Sequence, residues 1–170
     1  MSQESIVNRV AKSALLNIDL AENPPKWPAK ELDLSNFLEQ GLVLREKEFR
    51  AQLSRLDTTP LNKAYVRVFC STDAIIPAWA YQLVATTLSS GANKVLVCDK
   101  MSFNLILWID HIAEMDLNPY QNRLVLLKGC SDEKIPESAY AFLAQRLTPI
   151  VKKLMFGEAC SFVPLHKNKP

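Results

Sequence analysis

The sequence predicts an α/β fold: a mostly parallel sheet of repeated βαβ units covered by helices, with an N-terminal strand and helical segment added. Three observations carry this. Four short runs rich in β-branched and aromatic residues fall at 65–69, 94–97, 123–127 and 153–156, each of strand length. Helix-length segments with apolar residues three and four apart separate them, at 77–89, 102–116 and 136–148. Part of this pattern repeats along the chain. Strands alternating with helices imply crossover connections, so the four strands are expected side by side and parallel in one sheet.

Composition bounds the reading. At 170 residues the chain is expected to be a single domain, 1–170, with an N-terminal strand, loop and helical segment to residue 62, repeated units over 63–160 and a tail over 161–170. It is 48% apolar and 22% charged, and 20 Lys and Arg face 18 Asp and Glu, a net charge of +2. Such a balance gives no general attraction to nucleic acid or to a membrane surface, so neither is expected as a partner. The four glycines, Gly41, Gly91, Gly129 and Gly157, are too scattered for a dinucleotide fingerprint or a Walker A loop. The first residues lack the pattern of a secretory signal and no run of apolar residues is long enough to span a bilayer, so a cytoplasmic location is expected.

In chain order, Ala14-Leu15-Leu16-Asn17-Ile18-Asp19-Leu20 alternates at its end and reads as a strand. Asn23-Pro24-Pro25-Lys26-Trp27-Pro28 is a loop, because proline breaks both helix and central strand. Ser35 reads as the N-cap of a helical segment that uses Leu38, Leu42 and Leu44. A second helix covers 45–56, with Phe49, Leu53 and Leu56 inward and Arg45, Glu46, Lys47, Glu48 and Arg50 solvated. The regular part then begins. Pro77-Ala78-Trp79-Ala80-Tyr81 matches Pro136-Glu137-Ser138-Ala139-Tyr140, Leu88 matches Leu147, and Lys94-Val95 matches Lys153-Leu154 at one offset. Upstream, Cys70-Ser71 matches Cys130-Ser131 with a shift of one residue. Pro77 and Pro136 are expected in first helical turns, where a missing N–H costs nothing.

The four cysteines carry the candidate chemistry. Cys70, Cys98 and Cys130 follow the first three predicted strands and Cys160 lies just past the fourth, at the carboxyl edge where open α/β sheets place their ligands. A Cys-Ser pair occurs three times, with Ser71, Ser131 and Ser161, and acids stand close at Asp73, Asp99, Asp132 and Glu158. Cys70, Cys130 and Cys160 with Asp73 therefore form a candidate ligand set, and zinc is the metal such a set would take, with His166 as an alternative fourth ligand. A redox-active thiol is the other chemistry, since a cysteine before a helix N-terminus is biased towards thiolate. Ser71, Ser131, Ser161, Tyr81, Tyr140 and Glu158 would line the crevice. Against both stands the blander assignment of buried, inert cysteines and of Trp79, Tyr81 and Tyr140 as helix-to-sheet packing. Cys98 lacks the serine and is expected apart. His111 reads as a packed helix residue and His166 as a tail residue, so a Ser-His-Asp triad is not expected.

The segments Ile6-Val7-Asn8-Arg9-Val10-Ala11-Lys12-Ser13, Cys70-Ser71-Thr72-Asp73-Ala74-Ile75-Ile76-Pro77-Ala78-Trp79-Ala80-Tyr81, Lys128-Gly129-Cys130-Ser131, Ile135-Pro136-Glu137-Ser138-Ala139-Tyr140 and Gly157-Glu158-Ala159-Cys160-Ser161 together resemble a family of conserved hypothetical proteins from Bacteroidetes catalogued as a domain of unknown function, number 2480. The resemblance spans nearly the whole chain. It implies a bacterial cytoplasmic protein and no particular reaction. Two functions stay open: a cysteine-based metal or redox-thiol site acting on a small molecule, or a noncatalytic α/β module that binds a protein partner or forms a homo-oligomer.

Overall fold

The computed structural model describes residues 15–129, 135–158 and 160–168. Seven strands and four α-helices run in the order β1 (Leu15–Asp19), β2 (Ala29–Asp33), α1 (Glu46–Leu53), β3 (Tyr65–Phe69), α2 (Ala78–Leu88), β4 (Lys94–Val97), α3 (Lys100–Glu114), β5 (Leu124–Lys128), α4 (Glu137–Leu147), β6 (Lys153–Glu158) and β7 (Ser161–Lys167). The fold is mixed α/β with mostly parallel pairing, as the sequence predicts. The four regular strands do not share one sheet, however. One sheet has the order β2-β3-β4 and is wholly parallel; the other has the order β1-β5-β6-β7, parallel except for β6 with β7. The chain correspondingly divides into two compact units, Lys26–Leu107, and Met1–Pro25 with Trp108–Pro170, the boundary falling inside α3.

The single-sheet expectation fails because residue pattern identifies a strand but not its neighbour. Each βαβ pair, β3-α2-β4 and β5-α4-β6, takes its third strand from the N-terminal region instead of from the other pair. β2 covers the open edge of β3 in register Ala29 to Tyr65, and β1 covers that of β5 in register Leu15 to Leu124. β2 was hidden because Lys30 and Glu31 are polar, and only Leu32 of that strand is buried. β7, read as a tail from its basic ending, pairs back on β6. The helix expected after Ser35 is a short 3-10 turn, Leu34–Phe37, capped by Asp33 rather than by Ser35. It cannot continue because Gln40 and Gly41 both adopt positive φ, 49° and 73°, which closes a small bridge between Glu39 and Val43. Pro77 and Pro136 are N-cap residues with extended ψ of 143° and 138°, one position earlier than expected.

The two units follow one structural plan, well beyond the identities visible in sequence. At the offset that separates Pro77 from Pro136, Lys63 and Asn122 share a φ of 57°. The Lys63 N–H donates to the Gly91 carbonyl and the Asn122 N–H to the Ile150 carbonyl, both at 2.8 Å. Thr59–Leu61 and Asn118–Tyr120 are matching 3-10 turns. Each is preceded by an aspartate, Asp57 or Asp116, whose carboxylate accepts the N–H two residues on. The edge strands match too, Asp33 pairing with Phe69 and Asp19 with Lys128, both at strand ends.

Separate cores coincide in the same way. Phe49, Leu53, Val66, Ala80, Val84 and Leu88 are buried in one unit, and Trp108, Ile112, Val125, Ala139, Leu143 and Leu147 occupy the equivalent places in the other. In α2 and α4 the buried residues recur every four positions, so one apolar stripe of each helix lies on its sheet. No described helix is long and apolar enough to cross a membrane.

Candidate functional site

The carboxyl ends of β2 and β3 build a compact polar cluster. Asp33 ends β2, and its Oδ1 accepts the Ser35 N–H at 2.9 Å and the Ser71 N–H at 3.0 Å. The Ser71 hydroxyl lies 3.0 Å from that of Ser35 as its donor. One carboxylate thus fixes the start of the 3-10 turn and the first residues after β3 together. Partial burial pushes the Asp33 carboxyl up, but its hydrogen bonds from Ser71 and Ser35 outweigh this and hold it below the usual carboxylate range. Cys70 is half-buried beside them, its Sγ 3.3 Å from the Thr72 hydroxyl. Tyr81 stands in the first turn of α2. Burial first, and then the electrostatic effect of Cys70, push the Tyr81 hydroxyl up.

Next to this cluster the β3–α2 loop and the segment after the 3-10 turn frame an open groove of about 520 Å3. Thr72, Asp73, Ile75 and Pro77 line one side, and Gly41, Leu42 and Val43 the other. Three large apolar side chains stand in water here: Leu42 is 70% exposed, Val43 56% and Ile75 91%. Sequence reading missed them, having assigned Leu42 to a helix. The Gln40-Gly41 pair was the available signal, since glycine readily takes the positive φ that ends a helix and turns the following residues outward.

Of the predicted metal set, Cys70, Asp73 and Cys160 are among the described residues. Cys70 and Asp73 follow β3 of the three-stranded sheet, whereas Cys160 is an exposed turn residue between β6 and β7 of the other. Cys130 and Ser131 lie outside the described residues. Among the described residues no three His, Cys, Asp or Glu side chains are grouped to hold a metal, so the zinc reading finds no donor set there. Cys70, Cys98 and Cys160 are free thiols. Cys98 follows β4. Burial and the neighbouring Asp99 push its thiol up, against the pull of Arg67.

Ser161 opens β7 and Glu158 ends β6 of the four-stranded sheet, whereas Cys70 follows β3 of the three-stranded one. Tyr140 packs edge-on against Phe156, ring centres 5.8 Å apart, which is the helix-to-sheet role. His166 is not a tail residue. Its Nε2 lies 2.8 Å from the Asn168 Oδ1, and the Asn168 amide donates to the carbonyls of Thr148 and Val151. This clasp ties the end of β7 to the segment leaving α4. His111 is buried in α3 with its ring edge-on to Trp108.

A family model described as a protein of unknown function, DUF2480, matches residues 4–168. No curated protein and no solved structure matches the chain.

Proposed function

The chain belongs to the DUF2480 family, proteins of unknown function, and on that premise we propose that it is a binding module whose carboxyl-edge groove in the unit Lys26–Leu107 takes an apolar segment of a partner protein. The observation behind this is the exposure of Leu42, Val43 and Ile75 around one cavity of about 520 Å3. Clustered apolar surface of this kind marks recognition sites in soluble domains. Its position supports the reading, because ligands of α/β sheets bind outside the carboxyl ends of the strands. Asp73 lies in the same groove, so the segment that fits best carries a basic residue beside its apolar ones. Cys70 borders the groove through Thr72, which makes its thiol a reporter of occupancy.

The test is a photo-crosslinking amino acid placed at Ile75 in cells that make the protein, with the exposed Lys30 as control site. A discrete adduct at Ile75 that is absent at Lys30, and that disappears when Leu42 is also replaced by Asp, is the expected result. An adduct of the mass of two chains would replace the partner by a second copy. No adduct above the control at Ile75 would overturn the proposal.

A further inference from the structure

The repeat supplies an internal comparison that singles out a second site. In the unit formed by Met1–Pro25 and Trp108–Pro170, the end of α3, the following 3-10 turn and the end of α4 frame an open cleft of about 560 Å3. The equivalent place in the other unit, lined by Thr58, Asn62, Thr87 and Gly91, holds only about 10 Å3. That is room for one water at most, whereas about 560 Å3 is within the range of small-molecule sites.

The two places share their backbone hydrogen bonds, so the difference lies in side chains. Where one unit has Gly91, a Cβ would come within 2.2 Å of the Asn62 Oδ1, so the Asn62 amide occupies that seat only because glycine leaves it open. Ile150 stands at the equivalent position in the other unit, which denies Gln121 the seat that Asn62 fills. Thr87, whose hydroxyl is turned onto the Leu83 carbonyl, is matched by Arg146.

The chemistry of the larger cavity is specific. Met115, Leu117 and Ile150 give it apolar walls, and Asp116 and Arg146 bring opposite charges to it. Those two form no ion pair among the described residues. Arg146 donates through one Nη to the Ile112 carbonyl, which holds the guanidinium in place and leaves further N–H donors of its fork for a ligand. Asp116 uses Oδ1 for the Asn118 N–H at 3.0 Å, and its second oxygen remains an acceptor. A cation and an anion on one cleft, each anchored by a backbone hydrogen bond and not paired with the other, with apolar walls beside them, are complementary to a small zwitterion with an apolar body. We infer that this cavity binds a free α-amino acid with an apolar side chain, its carboxylate on Arg146, its ammonium on Asp116, and its side chain against Met115, Leu117 and Ile150.

The full-length protein is titrated with L-leucine, N-acetyl-L-leucine and L-leucinamide by calorimetry and by thermal shift. Saturable binding of L-leucine is expected, with each blocked analogue weaker by about tenfold to a hundredfold, the loss of one charge-assisted contact. Asp116→Asn keeps the acceptor for the Asn118 N–H and removes the charge, so it should lower L-leucine affinity by a similar factor. Arg146→Lys, which retains a donor for the Ile112 carbonyl, should weaken carboxylate binding. Thr87→Ala in the closed counterpart should change nothing. Absence of L-leucine binding to the folded wild-type protein up to millimolar concentration overturns the inference, as does equal binding of either blocked analogue.

Discussion

Asp33 concentrates several jobs in one side chain: it ends β2, caps the 3-10 turn and holds Ser71 behind β3. Its charged form accepts these donors, so its carboxyl is lower in the folded protein than in the unfolded chain. The stability it adds is therefore present above the ordinary aspartate value and is lost as pH falls through the lower, folded one. Urea midpoints of wild type and Asp33→Asn, followed from about pH 7 to about pH 2, should differ most at the neutral end and converge in acid. A difference that stays constant with pH would mean that folding does not lower the Asp33 carboxyl. Sequence reading placed Ser35 in this capping role. Both residue types cap helices well, and only the observed hydrogen bonds tell which does so.

Among the elements, the β6–β7 hairpin depends most on one backbone position. Gly157 lies within β6 at a φ of 127°, a region that side-chain-bearing residues rarely enter, and a Cβ there would sit 2.6 Å from the Ser161 carbonyl oxygen. Gly157→Ala should cost about 1–3 kcal/mol from backbone strain alone, and the contact with β7 adds to it. Chemical denaturation measures this. A loss no larger than that of Gly41→Ala, where φ is also positive but the space is open, would show that β7 yields without cost. The helices α2 and α4 were legible because their apolar spacing and preceding prolines are local signals. β2 and β7 were not, since an edge strand with one buried side chain carries almost no period to read.

At the scale of the whole molecule, β1 completes a sheet whose other strands begin only at Leu124. The loop closed by β1–β5 pairing is roughly four times longer than that closed by β3–β4 pairing, two doublings, which costs roughly 1.2 kcal/mol more in chain entropy. On refolding, amides of β3 and β4 should gain protection in pulsed hydrogen exchange before those of β1. Protection of β1 first would reverse the order. Sequence alone determined the α/β class, the four regular strands, the two proline-led helices and the repeat, because each is written in contacts a few residues apart. It also placed Cys70 correctly at a strand end. Which strands become neighbours was decided by tertiary structure, because edge pairing joins distant segments through backbone groups that every residue carries alike. For the same reason the two cavities could not be foreseen: their size depends on how Gln40-Gly41 turns and on whether glycine or isoleucine faces the side chain about thirty residues earlier in the chain.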